Sequence, residues 1–139
     1  MGLDDAEAVA ELTTELGYPV DAAGQAPRIA DLLSDPADHA AVVAVDGHDR
    51  AIGWAHAMRQ RYLEGDPTGV IMGLVVGDGH RSAGIGARLL EACEQWAATI
   101  GCVSMTVRSR VMRERAHGFY ARHGYVLEKT SHTFRKPLG

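Results

Sequence analysis

The residues best suited to chemistry lie in one short run, LVVGDGHRSAGIGARLL, from Leu74 to Leu90. An apolar stretch meets a glycine-rich turn holding His80, Arg81, Gly84 and Gly86, and an amphipathic pattern follows at once. Tight turns use glycine for purely structural reasons, but this one has a sharper reading. A turn of this kind between a strand and a helix gathers several backbone N–H groups into one concavity. The helix start adds unsatisfied N–H donors and the positive end of its dipole. Together they suit an anion such as a pyrophosphate, with Arg81 adding a fixed positive charge at the rim. Ser82 is the one plausible side-chain cap for a helix starting at Ile85, so a bound phosphate can take the cap's place.

The common nucleotide loops do not fit. A Walker loop needs Gly-Lys-Ser/Thr, which is absent. A dinucleotide fingerprint takes its first two glycines from Gly84 and Gly86, but Leu89 stands where the third belongs.

The elements that must position this turn follow from periodicity. Asp4 or Asp5 caps a helix from Ala6 to Leu16, with a stripe of Ala8, Val9, Leu12 and Leu16 and a stop at Gly17. GYPVDAAGQAP reads as a loop, and Pro27 opens a second short helix to about Leu33. Strands are predicted over Ala40–Val45 and Ala51–Gln60, joined by an Asp-Gly turn. RYLEGDPTG reads as a longer turn, and Val70–Val76 as a strand covered on both faces. Ile85, Leu89, Cys93, Trp96 and Ile100 repeat at helical spacing before Gly101. CVSMTVRS alternates, with Val103, Met105 and Val107 on one side. RERAHGFYARH is a short helix closed by Gly124, and the remaining residues predict two final strands.

Totals bound the classes. A chain of 139 residues with 46% apolar and 23% charged residues predicts one globular domain over residues 1–139. A net charge of −4 argues against a nucleic-acid partner. No apolar run approaches the roughly 20 residues of a membrane helix, and the acidic start lacks a signal-peptide pattern. The expectation is a soluble, cytoplasmic protein with no membrane partner. Cys93 and Cys102 would lie roughly 13 Å apart along a helix, beyond disulfide reach, and no spacing suggests a metal.

Arg81-Ser82-Ala83-Gly84-Ile85-Gly86 is an R-x-x-G-x-G pattern behind an apolar strand, and AHGFYARHGY, Ala116 to Tyr125, fits A-x-x-F-Y-x-x-x-G-F/Y downstream. In these two blocks the chain resembles the GNAT superfamily of acyl-CoA-dependent N-acyltransferases. The resemblance covers at least Val70 to Tyr125. It implies a mixed α/β fold, a mostly antiparallel sheet flanked by helices, here lacking the family's first strand. That absence leaves a sheet edge that a second copy could cover, so a homodimer is an expected partner.

The resemblance also implies acetyl-CoA as cosubstrate, without a metal, and a small-molecule or peptide amine as acceptor. It assigns the pyrophosphate to the backbone of Ser82, Ala83, Gly84, Ile85, Gly86 and Ala87, beside Arg81. Leu74, Val75 and Val76 would guide the pantetheine arm, and one of their N–H groups would steady the thioester oxygen. Arg113 and Phe119 are carried over as further cofactor contacts, Arg113 standing where the family often has asparagine. Tyr120 would be the general acid. The family's strand glutamate is missing, since that strand reads Val70-Ile71-Met72-Gly73. His56, Glu64 and His80, directly or through water, are the candidate bases. A non-catalytic acyl-CoA-binding module is the alternative.

Overall fold

The computed structural model describes residues 1–109 and 114–139. Met1–Val107 forms one compact unit and Arg108–Gly139 a second.

In the first unit the predicted stripe becomes helix α1 (Ala6–Leu16), ended by Gly17 at φ 112°. Asp5 occupies its N-cap position, but the Asp5 carboxylate instead accepts from the Gly2 N–H at 2.8 Å. The second helix, α2, spans Ala22–Leu33 and so starts well before Pro27. Asp21 caps it, accepting from the Gly24 N–H at 2.8 Å. Pro27 therefore lies in the second turn, where the Ala23 carbonyl forgoes its usual donor.

The sheet follows in the order β1 (His39–Val45), β2 (Ala51–Tyr62), β3 (Gly65–Val76), β4 (Ser104–Val107). The first two pairings are antiparallel, and β3–β4 is parallel. No described strand precedes α1, so β1 forms one edge of the sheet. Asp46 closes the β1–β2 turn by accepting from the N–H groups of His48 and Arg50.

The stretch RYLEGDPTG is not a long turn. β2 and β3 continue through it and pair to Tyr62↔Gly65, leaving only Leu63 and Glu64 at the tip. The Tyr62 hydroxyl bonds Thr68 Oγ1 at 2.6 Å across this hairpin. The strand predicted over CVSMTVRS is also shorter: Val103 lies outside it and is 68% exposed.

The two faces of the sheet are separated by side-chain size. Ala55 and Ala57 are fully buried on the face that receives helix α3 (Ile85–Thr99). A Cβ on Gly53 would meet Leu89 at 3.2 Å, and one on Gly69 would meet Ala97 at 2.9 Å, so small residues let α3 lie close. The other face carries Val43, Trp54 and Val75 against Val9, Leu12 and Ile29 of α1 and α2. Burying side chains such as Val9, Ile29 and Leu90 contributes about 1.5–3 kcal/mol each.

In the second unit, helix α4 (Glu114–Arg122) carries the F-Y pair and turns at Gly124, φ 87°. The two final strands do not form. Residues 125–139 have no regular structure, and Val126, Leu127 and Phe134 are 87–94% exposed. The polar run from Glu128 to His132 offers little to bury, so alternation alone does not define a strand there.

Candidate active site

Strand β3 is irregular where it matters. His56 faces Gly73 across the β2–β3 ladder, yet Ala57 faces Ile71, so Met72 is an extra residue in a β-bulge. A bulge bends its strand and raises the local twist. The parallel pairing to β4 stops just before it, at Ile71↔Val107. Beyond that point the far edge of β3, Met72 to Val76, has no strand partner among the described residues.

Which groups face that open edge follows from alternation. The Gly77 N–H donates to Ile52 O of β2 at 2.8 Å. The Val75 carbonyl likewise lies toward β2, 3.0 Å from where a Gly53 Cβ would stand. The backbone groups of Leu74 and Val76 therefore face the open edge. Val76 O already accepts there from Arg81 Nε at 3.3 Å, and Arg81 is also paired with Asp78 at 2.9 Å.

The open edge leads to the glycine turn. Asp78–His80 makes a short 3-10 turn, then Ser82 and Gly84 adopt φ values of 70° and 77°. Ser82 does not cap α3. Gly84 holds the N-cap position, and no side chain bonds the helix start. The first helical backbone bond is Arg88 N–H to Gly84 O, so the N–H groups of Ile85, Gly86 and Ala87 face outward without an intrahelical acceptor. Left-handed residues on either side of Ala83, just ahead of a helix, make an anion-binding concavity.

On the α1/α2 face, a cleft of about 300 Å³ reaches the bulge at Met72 and Gly73. His56 and Trp54 line it from β2. The Trp54 ring covers Gly73, where a Cβ would come within 2.7 Å of it. His56 Nε2 lies 3.0 Å from His39 Nδ1, and His39 Nε2 lies 4.0 Å from Asp35 Oδ2. In the tautomer that puts the His39 proton on Nε2, the nitrogen nearer Asp35, His39 Nδ1 is the acceptor and His56 Nε2–H the donor. That tautomer leaves a lone pair on His56 Nδ1.

Burial, and secondarily His39, push the His56 pKa down to about 4. The ring is therefore neutral at pH 7. Its contribution to stability is present above about pH 6.5 and is lost as pH falls toward 4, because the unfolded chain takes up a proton that the folded chain refuses. Solvent screening of a partly exposed ring leaves this at about 2 kcal/mol. Denaturant unfolding from pH 7 to pH 4 should show His56→Gln losing about 2 kcal/mol less than the parent. The same slope in both proteins would remove His56 as its source.

The other assigned residues fall differently. Glu64 sits at the exposed hairpin tip, about 30 Å along β3 from Gly73 at 3.3 Å per residue, and does not reach the cleft. His80 is exposed on its 3-10 turn. Arg113 lies outside the described residues. In the second unit, Tyr120 stacks edge-on with Phe119 and Tyr125 at 5.2 and 5.6 Å between centroids. Cys93 is fully buried, which pushes its thiol up to about 12. Cys102 is raised in the same direction, first by burial. His39 belongs to no motif of the sequence. Counting outward from the Asp46-Gly47 turn would have placed it within two residues of the position opposite His56.

The model of the Acetyltransferase (GNAT) family matches residues 6–125. The chain belongs to the GNAT acetyltransferase family. It is an acetyl-CoA-dependent transferase.

Among relatives, the aminoglycoside N(6')-acetyltransferase type 1 of Stenotrophomonas maltophilia is 28% identical over 137 residues, spanning 96% of this chain and 89% of that protein. Aminoglycoside N-acetyltransferase AAC(6')-Iy in complex with CoA superposes on this GNAT fold with a TM-score of 0.86 at 20% identity, covering 99% and 92% of the two chains. Glucosamine-6-phosphate N-acetyltransferase from Arabidopsis thaliana gives 0.85 at 17% identity, covering 97% and 94%. These two structures establish the GNAT fold. Their named acceptors differ in charge, so the fold does not select the acceptor. No described helix is long and apolar enough to cross a membrane.

Proposed function

We propose that the protein transfers an acetyl group from acetyl-CoA directly to the primary amine of a small molecule or peptide, both substrates being bound together. The observation that carries this reading is the continuous path from the unpaired edge of β3 to the uncapped start of α3. The N–H groups of Ile85, Gly86 and Ala87, with the turn from Ser82 to Gly84, would hold the pyrophosphate. Arg81 would leave Asp78 for the more highly charged phosphates. Leu74 and Val76 would pair with the pantetheine arm as a neighbouring strand would.

His56 is the proposed proton acceptor. Its Nδ1 takes the proton from the attacking amine and its Nε2–H passes to His39 Nδ1. The charge then rests beside the Asp35 carboxylate rather than on the more buried ring. This route accommodates a low His56 pKa, because the proton ends on His39. The amine nitrogen forms the amide bond as the thioester C–S bond breaks, and the CoA sulfur leaves as a thiolate. Tyr120 is the proposed acid that returns a proton to it, on the strength of the family motif.

Thiol release measured over a panel of amines tests the reading. Acetyl-CoA binding without release for any amine would favour a non-catalytic binding module. Tyr120→Phe should lower kcat about tenfold and leave the KM for acetyl-CoA unchanged, since a thiolate is a good leaving group and needs only modest help. Undiminished turnover would exclude Tyr120 as the acid.

A further inference from the structure

The cleft beside the bulge has an unusual polar inventory for a site that is to take an amine. Its walls are largely apolar, with Val9 and Leu16 from α1, Ile29 and Leu32 from α2, and Met72 from β3. Its charged side chain is the cation Arg28, and no aspartate or glutamate among the described residues lines it. Arg28 forms no ion pair with a described residue. Two lining residues also hold buried polar atoms without a partner in the described structure: Gln25 Oε1, on a residue 9% exposed, and Trp54 Nε1. One is an acceptor and the other a donor. Unmade hydrogen bonds of this kind each cost about 1–3 kcal/mol.

Resting on the transfer reading above, we infer that the acceptor is a compact monoamine with an apolar body and one uncharged hydrogen-bonding group. Each additional ammonium would enter an apolar space with no carboxylate to pair it, beside the like charge of Arg28. A single amine suffers less, because apolar surroundings favour its neutral, nucleophilic form. A hydroxyl both donates and accepts, so it suits either Gln25 Oε1 or Trp54 Nε1. A cleft of about 300 Å³ suits a ring-sized body.

Three amines separate the outcomes: tyramine, 2-phenylethylamine and neamine, each assayed with the full chain and saturating acetyl-CoA. Tyramine should give kcat/KM about fivefold above 2-phenylethylamine and at least about tenfold above neamine. Gln25→Met, which removes the stranded oxygen at constant volume, should cut the tyramine-to-phenylethylamine ratio about fivefold without lowering Tm. Gln25→Glu, which puts a carboxylate in the cleft, should move selectivity toward neamine. Neamine as the best substrate, or a Gln25→Met change that lowers tyramine and phenylethylamine equally, would overturn the inference while leaving acetyl transfer intact. Calorimetry on the CoA complex covers the remaining cases. Tyramine binding without thiol release would refute the transfer reading and support the cleft assignment. No tyramine binding and no release would overturn the assignment.

Discussion

Gly84→Val should raise the KM for acetyl-CoA by about 100-fold or more while the protein still folds. At φ 77° the residue occupies a conformation that a β-branched side chain adopts only with strain. A Cβ there meets nothing within 4 Å, so the strain is backbone strain and not a clash. Relaxing it swings the turn out of its left-handed geometry and scatters the N–H groups that open α3. Hydrogen bonds to a charged group contribute about 1.5–3 kcal/mol each, and losing two exceeds the 2.7 kcal/mol of a 100-fold change. Isothermal titration with CoA measures the effect directly. A variant that folds and binds CoA normally would refute the pyrophosphate assignment for this turn.

His56→Ala should lower kcat about 100-fold at pH 7 and raise the acetyl-CoA KM little, a split that separates proton transfer from cofactor binding. The relay makes a further demand. In the parent, kcat/KM should fall in acid as His56, held down to about 4, takes up a proton. His39→Phe should remove the second station while keeping ring packing, lowering kcat, and should move the acid limb of the profile to higher pH because the neighbouring His39 charge no longer helps hold His56 down. Arg28, the cleft's cationic side chain, and the Tyr18 side chain face the same space, so Arg28→Gln is the control for a general electrostatic shift. Full activity in His56→Ala across the pH range would mean that water alone takes the proton.

Local signals were legible in the sequence where one element carries them. The stripe of α1 and its stop at Gly17 are visible in eleven consecutive residues, and the helix forms over those residues. The glycine turn was legible for the same reason. Pro27 misled because its preference for a first turn is weaker than a good cap upstream, and Asp21 supplied one. Arg61, Glu64 and Asp66 made a hairpin tip look like a long loop, although polar residues sit comfortably on two exposed strand ends. The bulge at Met72 is a property of register between two strands, and nothing within β3 announces it. The His39–His56 contact joins residues 17 apart, and only the register counted from the Asp46-Gly47 turn brings them near each other. The family resemblance pointed to the glycine turn and named His56 among three candidate bases, whereas the cleft beside the bulge and the His39 contact needed the folded chain.

The two cysteines set a limit on the order of events. A thiol held near 12 inside the core, with a second one also raised, supplies no thiolate to carry an acetyl group between substrates. Without an acyl-cysteine way station, CoA cannot depart before the amine arrives by that route. Initial rates measured against both substrates should then give intersecting double-reciprocal lines, and alkylating reagents should leave the enzyme active at concentrations that silence thiol-dependent acyltransferases.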